Sequence, residues 1–266
     1  MVNFLNKYDL EHKLLKGSPL LLGNILTYKV TLGEMVDHGF TQMQNVIYIL
    51  CMEDEKAADY MKKPFENPST FLYVYANMFT EYTRIKNGQI NDKDTPLSNS
   101  ILSFLSLFFK REVTFNPNYG FIIDGKSGKP SVLAERNYDE FRTILKERNC
   151  LINLDDINED NPNNEITRKL LEKRKKLREK IKKAKHANED EDGLSMADLI
   201  SIFAEAEHMP LQEVYEKYDI YQFNNQFNRL KIMDDFHVNI QALLAGAKDK
   251  DFKIQHWLSK LNKQDD

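Results

Sequence analysis

Apolar residues recur at helical spacing along most of this chain, and one short stretch changes to the alternating, β-prone texture of strands. Leu20-Leu21-Leu22 and Ile25-Leu26-Thr27-Tyr28-Lys29-Val30 flank Gly23-Asn24, a pair suited to a tight turn, so a hairpin or bent strand is expected there. Thr31 with Glu34 three positions on carries the capping-box signature. The helix it opens should stop near Gly39, and a second one starts at Thr41 and runs through Val46, Ile47, Ile49 and Leu50. After the breakers Pro64 and Pro68, Ser69 or Thr70 caps a helix whose positions Phe71, Val74, Tyr75, Met78, Phe79 and Tyr82 keep helical spacing. Pro96 suits the first turn of a helix over Leu97 to Lys110, with Ile101, Leu102, Leu105, Phe108 and Phe109 inward.

Then the period shortens. Val113-Thr114-Phe115, Phe121-Ile122-Ile123 and Val132-Leu133 are separated by Asn- and Gly-rich turns and read as a small antiparallel meander. Asn137 is expected to cap a further helix through Tyr138, Phe141, Ile144 and Leu145. A polar interval follows, and from Leu194 the pattern is helical throughout. Ser195 caps Met196 to Glu207, Pro210 opens a short helix, and Asp219 caps a long one ended by Gly246. Ile254, Trp257, Leu258 and Leu261 supply a last amphipathic helix.

This gives a mainly α chain in three parts. Residues 1–154 form an α+β domain with the small meander, 155–193 a charged helical linker, and 194–266 a small all-α domain. Between Glu165 and Ala187 stand eleven Lys and Arg against three Glu, a local charge of +8. Acidic runs flank this segment (Asp155, Asp156, Glu159, Asp160; Glu189 to Asp192) and offset it. Two apolar blocks on a solvated rod describe an adaptor better than a single-pocket enzyme.

Charge and candidate chemistry narrow the classes further. The formal net charge of −4 gives no global attraction to nucleic acid or anionic membrane. The first fifteen residues carry Lys7, Asp9, Glu11 and Lys13, so no signal peptide is expected there, and no uncharged run approaches the roughly 18 residues of a spanning helix. Cytoplasmic residence is the expectation. Cys51 and Cys150 stand far apart beside apolar neighbours and read as buried thiols. Gly125-Lys126-Ser127 resembles a phosphate loop, but a β-prone run follows where that motif needs a helix; a hairpin turn is favoured. Glu205 and His208 make half of a di-iron carboxylate signature and have no second half. No nucleophile elbow, zinc-protease motif or nucleotide fingerprint occurs, so neither catalysis nor a metal or cofactor is expected.

The basic segment (Arg168, Lys173, Arg174, Lys176, Arg178, Lys182) has three readings. Its thin apolar seam favours a spacer helix, then a partner-docking helix, and its lack of interleaved aromatics puts nucleic-acid binding last.

Several segments resemble tail-morphogenesis proteins of phages infecting low-GC Gram-positive bacteria, specifically tail assembly chaperones. They are Leu32-Gly33-Glu34 with Asp37-His38-Gly39-Phe40, Ala197-Asp198-Leu199-Ile200, Tyr221-Gln222-Phe223 with Asn225-Gln226-Phe227, Leu243 to Ala247, and His256-Trp257-Leu258. The resemblance touches about half the chain. It implies a non-enzymatic assembly factor of the host cytoplasm that binds the tape-measure protein before tube subunits polymerise around it. It also implies a family with a shorter and an extended form made by ribosomal frameshifting. The Val113 to Leu133 meander and the basic linker have no counterpart assigned in that family.

Client binding would then fall to the aromatics Tyr221, Phe223, Phe227 and Trp257 and to the helix carrying Phe71, Tyr75 and Phe79. Against this stands the ordinary expectation that aromatics at helical spacing face a core. Two other roles stay open: a structural tail or baseplate component, and a nucleic-acid-binding regulator using the basic linker. Self-association is also left open.

Overall fold

The computed structural model describes residues 7–61, 68–91, 95–124, 130–151, 194–246 and 256–258. The protein is mainly α, with ten helices and two small antiparallel sheets among the described residues. By its packing the chain divides into two units. The first takes Met1–Leu151 together with Tyr215–Phe223; the second takes Ile152–Val214 and Asn224–Asp266.

The first unit opens with α1 (Lys7–Lys16), then β1 (Leu20–Leu22) and β2 (Ile25–Thr27), paired Leu20 to Thr27. Gly23 (φ +57) takes the first corner of their two-residue turn, a left-handed conformation that glycine adopts without a Cβ penalty. Leu20, Leu22 and Ile25 point inward while Leu21 and Leu26 face out, which is the strand alternation made visible. Helix α2 (Leu32–Asp37) starts at the expected capping box: Thr31 Oγ1 accepts the Glu34 N–H and Glu34 accepts the Thr31 N–H. Helix α3 (Phe40–Cys51) begins one residue earlier than the sequence suggests, directly after Gly39. The short α4 (Asp54–Tyr60) has too few apolar positions to show a period, and the sequence reading lacks it.

Helix α5 (Thr70–Lys86) is capped by Ser69, whose hydroxyl accepts the Leu72 N–H at 3.1 Å. Helix α6 (Pro96–Phe109) carries Pro in its first turn and buries Ile101, Phe104, Leu105, Phe108 and Phe109. The meander follows as β3 (Val113–Asn116), β4 (Gly120–Ile123) and β5 (Ser131–Leu133), antiparallel throughout, as the turn residues implied.

Helix α7 (Glu135–Arg148) corrects the expectation for Asn137. It starts two residues before Asn137, with Ala134 in the cap position. Asn137 works from the third helical position: its Oδ1 accepts the Ala134 N–H at 2.8 Å and its Nδ2 donates to the Val132 carbonyl at 3.0 Å. One side chain thereby ties β5 to α7.

The core of the first unit lies where α3 packs on α5, α6 and α7. Phe108 meets Phe141 edge-on at 5.6 Å and stacks with Phe104 at 6.0 Å, and Tyr138 adds its ring against Phe141 at 5.4 Å. Each fully buried Phe or Leu of this cluster contributes roughly 1.5–3 kcal/mol relative to exposure. Cys51 belongs to the core, and burial pushes its thiol to about 12. Cys150 does not. It sits at φ +55 in the turn after α7 and is exposed, because that turn leaves the core; no disulfide joins the two.

Three further helices follow: α8 (Met196–Ala206), α9 (Leu211–Lys217) and the 25-residue α10 (Ile220–Leu244). Ser195 and Asp198 form a capping box at α8, and Asp219 Oδ1 caps α10 by accepting the Gln222 N–H at 2.8 Å. In the second unit Ile200, Phe203, Ala204 and Val214 are buried. The last expected helix, Ile254 to Leu261, falls outside the described residues except for 256–258. No helix among the described residues is long and apolar enough to cross a membrane.

A candidate docking surface

On α5, positions 70, 74 and 78 repeat every four residues and face the core, where Thr70, Val74 and Met78 are buried. One step round the helix lies a second row, Phe71, Tyr75 and Phe79, continued by Tyr82. Phe71 is rooted against Tyr138 at 5.3 Å, so the inner end of the row is fixed to the core. Tyr75 lies 5.9 Å from Phe71 and stacks on Phe79 at 6.1 Å. Phe79 and Tyr82 are 43% and 37% exposed.

The meander backs this row. Phe115 of β3 sits 5.5 Å from Tyr75 and 6.3 Å from Tyr82, and behind it Phe121 of β4 lies at 5.7 Å. The Tyr75 hydroxyl donates to the Pro117 carbonyl, which satisfies the polar end of that ring and holds the β3–β4 turn. Tyr119, in the same turn, is 64% exposed. Helix and sheet together display a strip of rings whose edges reach solvent. The sequence supplies the helical half through its period. Phe115 and Tyr119 escape it, because their contribution depends on which helix the meander covers.

Polar chemistry anchors the start of α5. Asp54 Oδ1 accepts the Thr70 N–H at 2.9 Å, and the Thr70 hydroxyl lies 2.7 Å from both the Met52 carbonyl and Asp54 Oδ1. Arg142 of α7 closes the cluster, donating to Asp54 at 2.7 Å, to the Met52 carbonyl at 3.2 Å and to Asp139 at 2.9 Å. Burial works to raise the Asp54 carboxyl; the Thr70 hydroxyl and the Arg142 guanidinium outweigh it and hold the group below its ordinary value. On the far flank of α5, Tyr73 lines a groove of about 430 Å³ with Tyr48, Tyr60, Ile49 and Leu97.

The C-terminal aromatics are placed differently. Tyr221 and Phe223 belong to the first unit. Phe223 is 1% exposed and Tyr221 half-buried, and burial lifts the Tyr221 phenol above its usual range. Two residues apart on a helix they point about 200° apart, so they share no face. Phe227 and Trp257 belong to the second unit, Phe227 half-buried and Trp257 exposed. Arg229 donates to the Trp257 carbonyl at 3.1 Å, and the adjacent His256 ring meets Phe236 of α10 at 5.0 Å. The basic residues Arg168, Lys173, Arg174, Lys176, Arg178 and Lys182 lie outside the described residues.

Among the described residues no group of His, Cys, Asp and Glu could hold a metal ion. Glu205 and His208 are both exposed, and His208 lies past the end of α8 at φ +53. Gly125, Lys126 and Ser127 lie outside the described residues; the strand β5 follows them in the chain, where a phosphate loop would open into a helix.

Compared with known families, residues 182–262 match the YomV second domain, a phage-associated domain. The match covers α8, α9 and α10. No curated protein and no solved structure matches the chain.

Proposed function

We propose that this is a non-enzymatic phage tail assembly chaperone or adaptor that shields the tape-measure protein during virion morphogenesis in the host cytoplasm. The observation carrying the reading is the solvent-edged aromatic strip of Phe71, Tyr75, Phe79, Tyr82 and Phe115, rooted at one end in the core. Such a strip suits an amphipathic client helix. Apolar side chains at every third or fourth position settle on the rings, and the ring edges and the Tyr hydroxyls tolerate water when the client leaves. The phage-associated match in the C-terminal block supports the setting. The rings at the strip are preassembled by mutual contact, so little side-chain entropy is lost on binding.

Co-expression with the tape-measure protein of the same phage tests the proposal. The client is expected to stay soluble and to co-purify. Phe79→Ala with Tyr82→Ala should abolish co-purification while lowering the stability of the chain by about 2–3 kcal/mol at most, both rings being partly exposed already. A client equally soluble alone, and never co-purifying, overturns the reading. Stoichiometric presence in purified particles would make the protein a structural tail component instead.

A further inference from the structure

Nine residues from the C-terminal block, Tyr215–Phe223, belong by their packing to the first unit, although the residues on both sides belong to the second. They are held from four directions. The Leu32 N–H donates to the Tyr218 carbonyl at 2.9 Å, and Thr31 forms an antiparallel bridge with Asp219. Lys29 Nζ donates to the Lys217 carbonyl and, at 3.0 Å, to Gln222 Oε1. Gln222 Nε2 reaches the Leu15 carbonyl at 2.8 Å. At the base of the slot Asp219 faces Arg148 at 3.7 Å, both buried, while Ile220 and Phe223 fill the apolar remainder. Gly33 makes the approach feasible: a Cβ there would lie 3.1 Å from the Tyr215 carbonyl oxygen.

We propose that the first unit carries a docking slot for a capped helix start, occupied by the chain's own residues 215–223 as an element that engages and releases separately from the rest of that unit. The slot reads an acidic cap (Asp219), an aliphatic first position (Ile220), an amide at the third (Gln222) and an aromatic at the fourth (Phe223). Release is favoured by the state of the charged pair. Arg148 Nε and Nη1 and Asp219 Oδ2 make no hydrogen bond, so docking desolvates charges that undocking returns to water. Burial accordingly lowers the Arg148 guanidinium to about 10 and raises the Asp219 carboxyl. The apolar burial of Ile220 and Phe223 is offset in part by this cost.

Hydrogen exchange of the full chain reads the slot directly. Leu32 is the first residue of α2, so its N–H has no acceptor within the helix and is protected only by Tyr218. Met35, bonded to the Thr31 carbonyl at 3.0 Å, reports α2 itself. Gly33→Leu keeps or improves helix propensity in α2 but puts a side chain where the Tyr215 backbone lies. Leu32 protection is expected to fall about tenfold or more in Gly33→Leu, with Met35 protection retained. Gln222→Ala, which adds no bulk and removes three hydrogen bonds, to Lys29, to the Asp219 N–H and to the Leu15 carbonyl, should lower Leu32 protection about fivefold or more. The proposal is overturned by an unprotected Leu32 in the native chain, by unchanged Leu32 protection in both variants, or by Leu32 and Met35 falling together. Leu32 protection that grows with protein concentration assigns the slot to a second copy's segment and overturns its assignment to the chain's own.

Discussion

Two arginines of α7, six residues apart, meet aspartates under opposite conditions. Arg142 is half-buried and surrounded: Asp54, Asp139 and the Met52 carbonyl all accept from it, and Thr70 completes the cluster. Arg148 is almost fully buried and poorly supplied. It donates once, from Nη2 to the Ser18 carbonyl at 2.7 Å, while Asp219 stands beyond hydrogen-bond reach. The carboxylates register the difference. Asp54 is held below its ordinary value by its partners, and Asp219 is lifted above it by burial. Depth does not make an ion pair strong. The number of well-placed partners does, because each supplies part of what water gave.

The largest effect that breaks this comparison is expected at the deeper site. Arg148→Met leaves the buried Asp219 carboxylate without its nearest cation, with only the Gln222 N–H and the field of Lys29 to offset its burial, and should cost about 3 kcal/mol in urea unfolding. Arg142→Met removes a better-bonded cation, yet its carboxylate partners reach solvent, Asp54 being 45% and Asp139 84% exposed. A loss of about 1–2 kcal/mol is expected, the smaller of the two despite the larger number of hydrogen bonds. The reverse order would show that hydrogen-bond count, not an unpaired buried charge, governs the cost.

Acid separates the pairs by sign. Asp54, with a lowered folded pKa, adds stability that is present above its ordinary value near 3.8 and is lost as pH falls through the folded value. Asp219, with a raised one, adds stability that is present below 3.8 and is lost as pH rises through its folded value. The two oppose each other in acid. Midpoint temperatures between pH 3 and pH 6 should therefore fall less on acidification in Asp54→Asn and more in Asp219→Asn than in the native chain. Parallel curves for all three proteins would remove the electrostatic distinction.

How much of this was legible beforehand follows the range of each interaction. The caps at Thr31, Ser69, Ser195 and Asp219, the Gly23 turn and the order of the meander are local and stand in the sequence as spaced residue types. The inner row of the aromatic strip, Phe71, Tyr75 and Phe79, shows through helical period. Phe115 enters only when β3 is laid on α5, and Arg148 meets Asp219 across 71 positions, which no period encodes. Asn137 shows a subtler limit. Its composition signals a helix start correctly, but a side chain that reaches back from the third position looks the same in sequence as a cap.

The smallest expected effect is the sharpest test of the contrast. Replacing both members of the deep pair, Arg148→Met with Asp219→Asn, removes the two buried charges together. Asn retains the capping oxygen that the Gln222 N–H needs, and Met fills a space already walled by Val30, Met35, Ile47, Phe104 and Phe108. Only the Ser18 carbonyl loses its donor, and Ser18 is half-exposed, so water can replace it. Stability is expected within about 1 kcal/mol of native or above it, against the several lost in Arg148→Met alone, a recovery of roughly 2–3 kcal/mol on adding Asp219→Asn. The matching double change at the surrounded site, Arg142→Met with Asp54→Asn, has no such recovery to make, since its charges were satisfied and partly hydrated before. If the deep double variant is as unstable as the single, then Arg148 and Asp219 hold the fold by attraction, and the two arginines differ in position only.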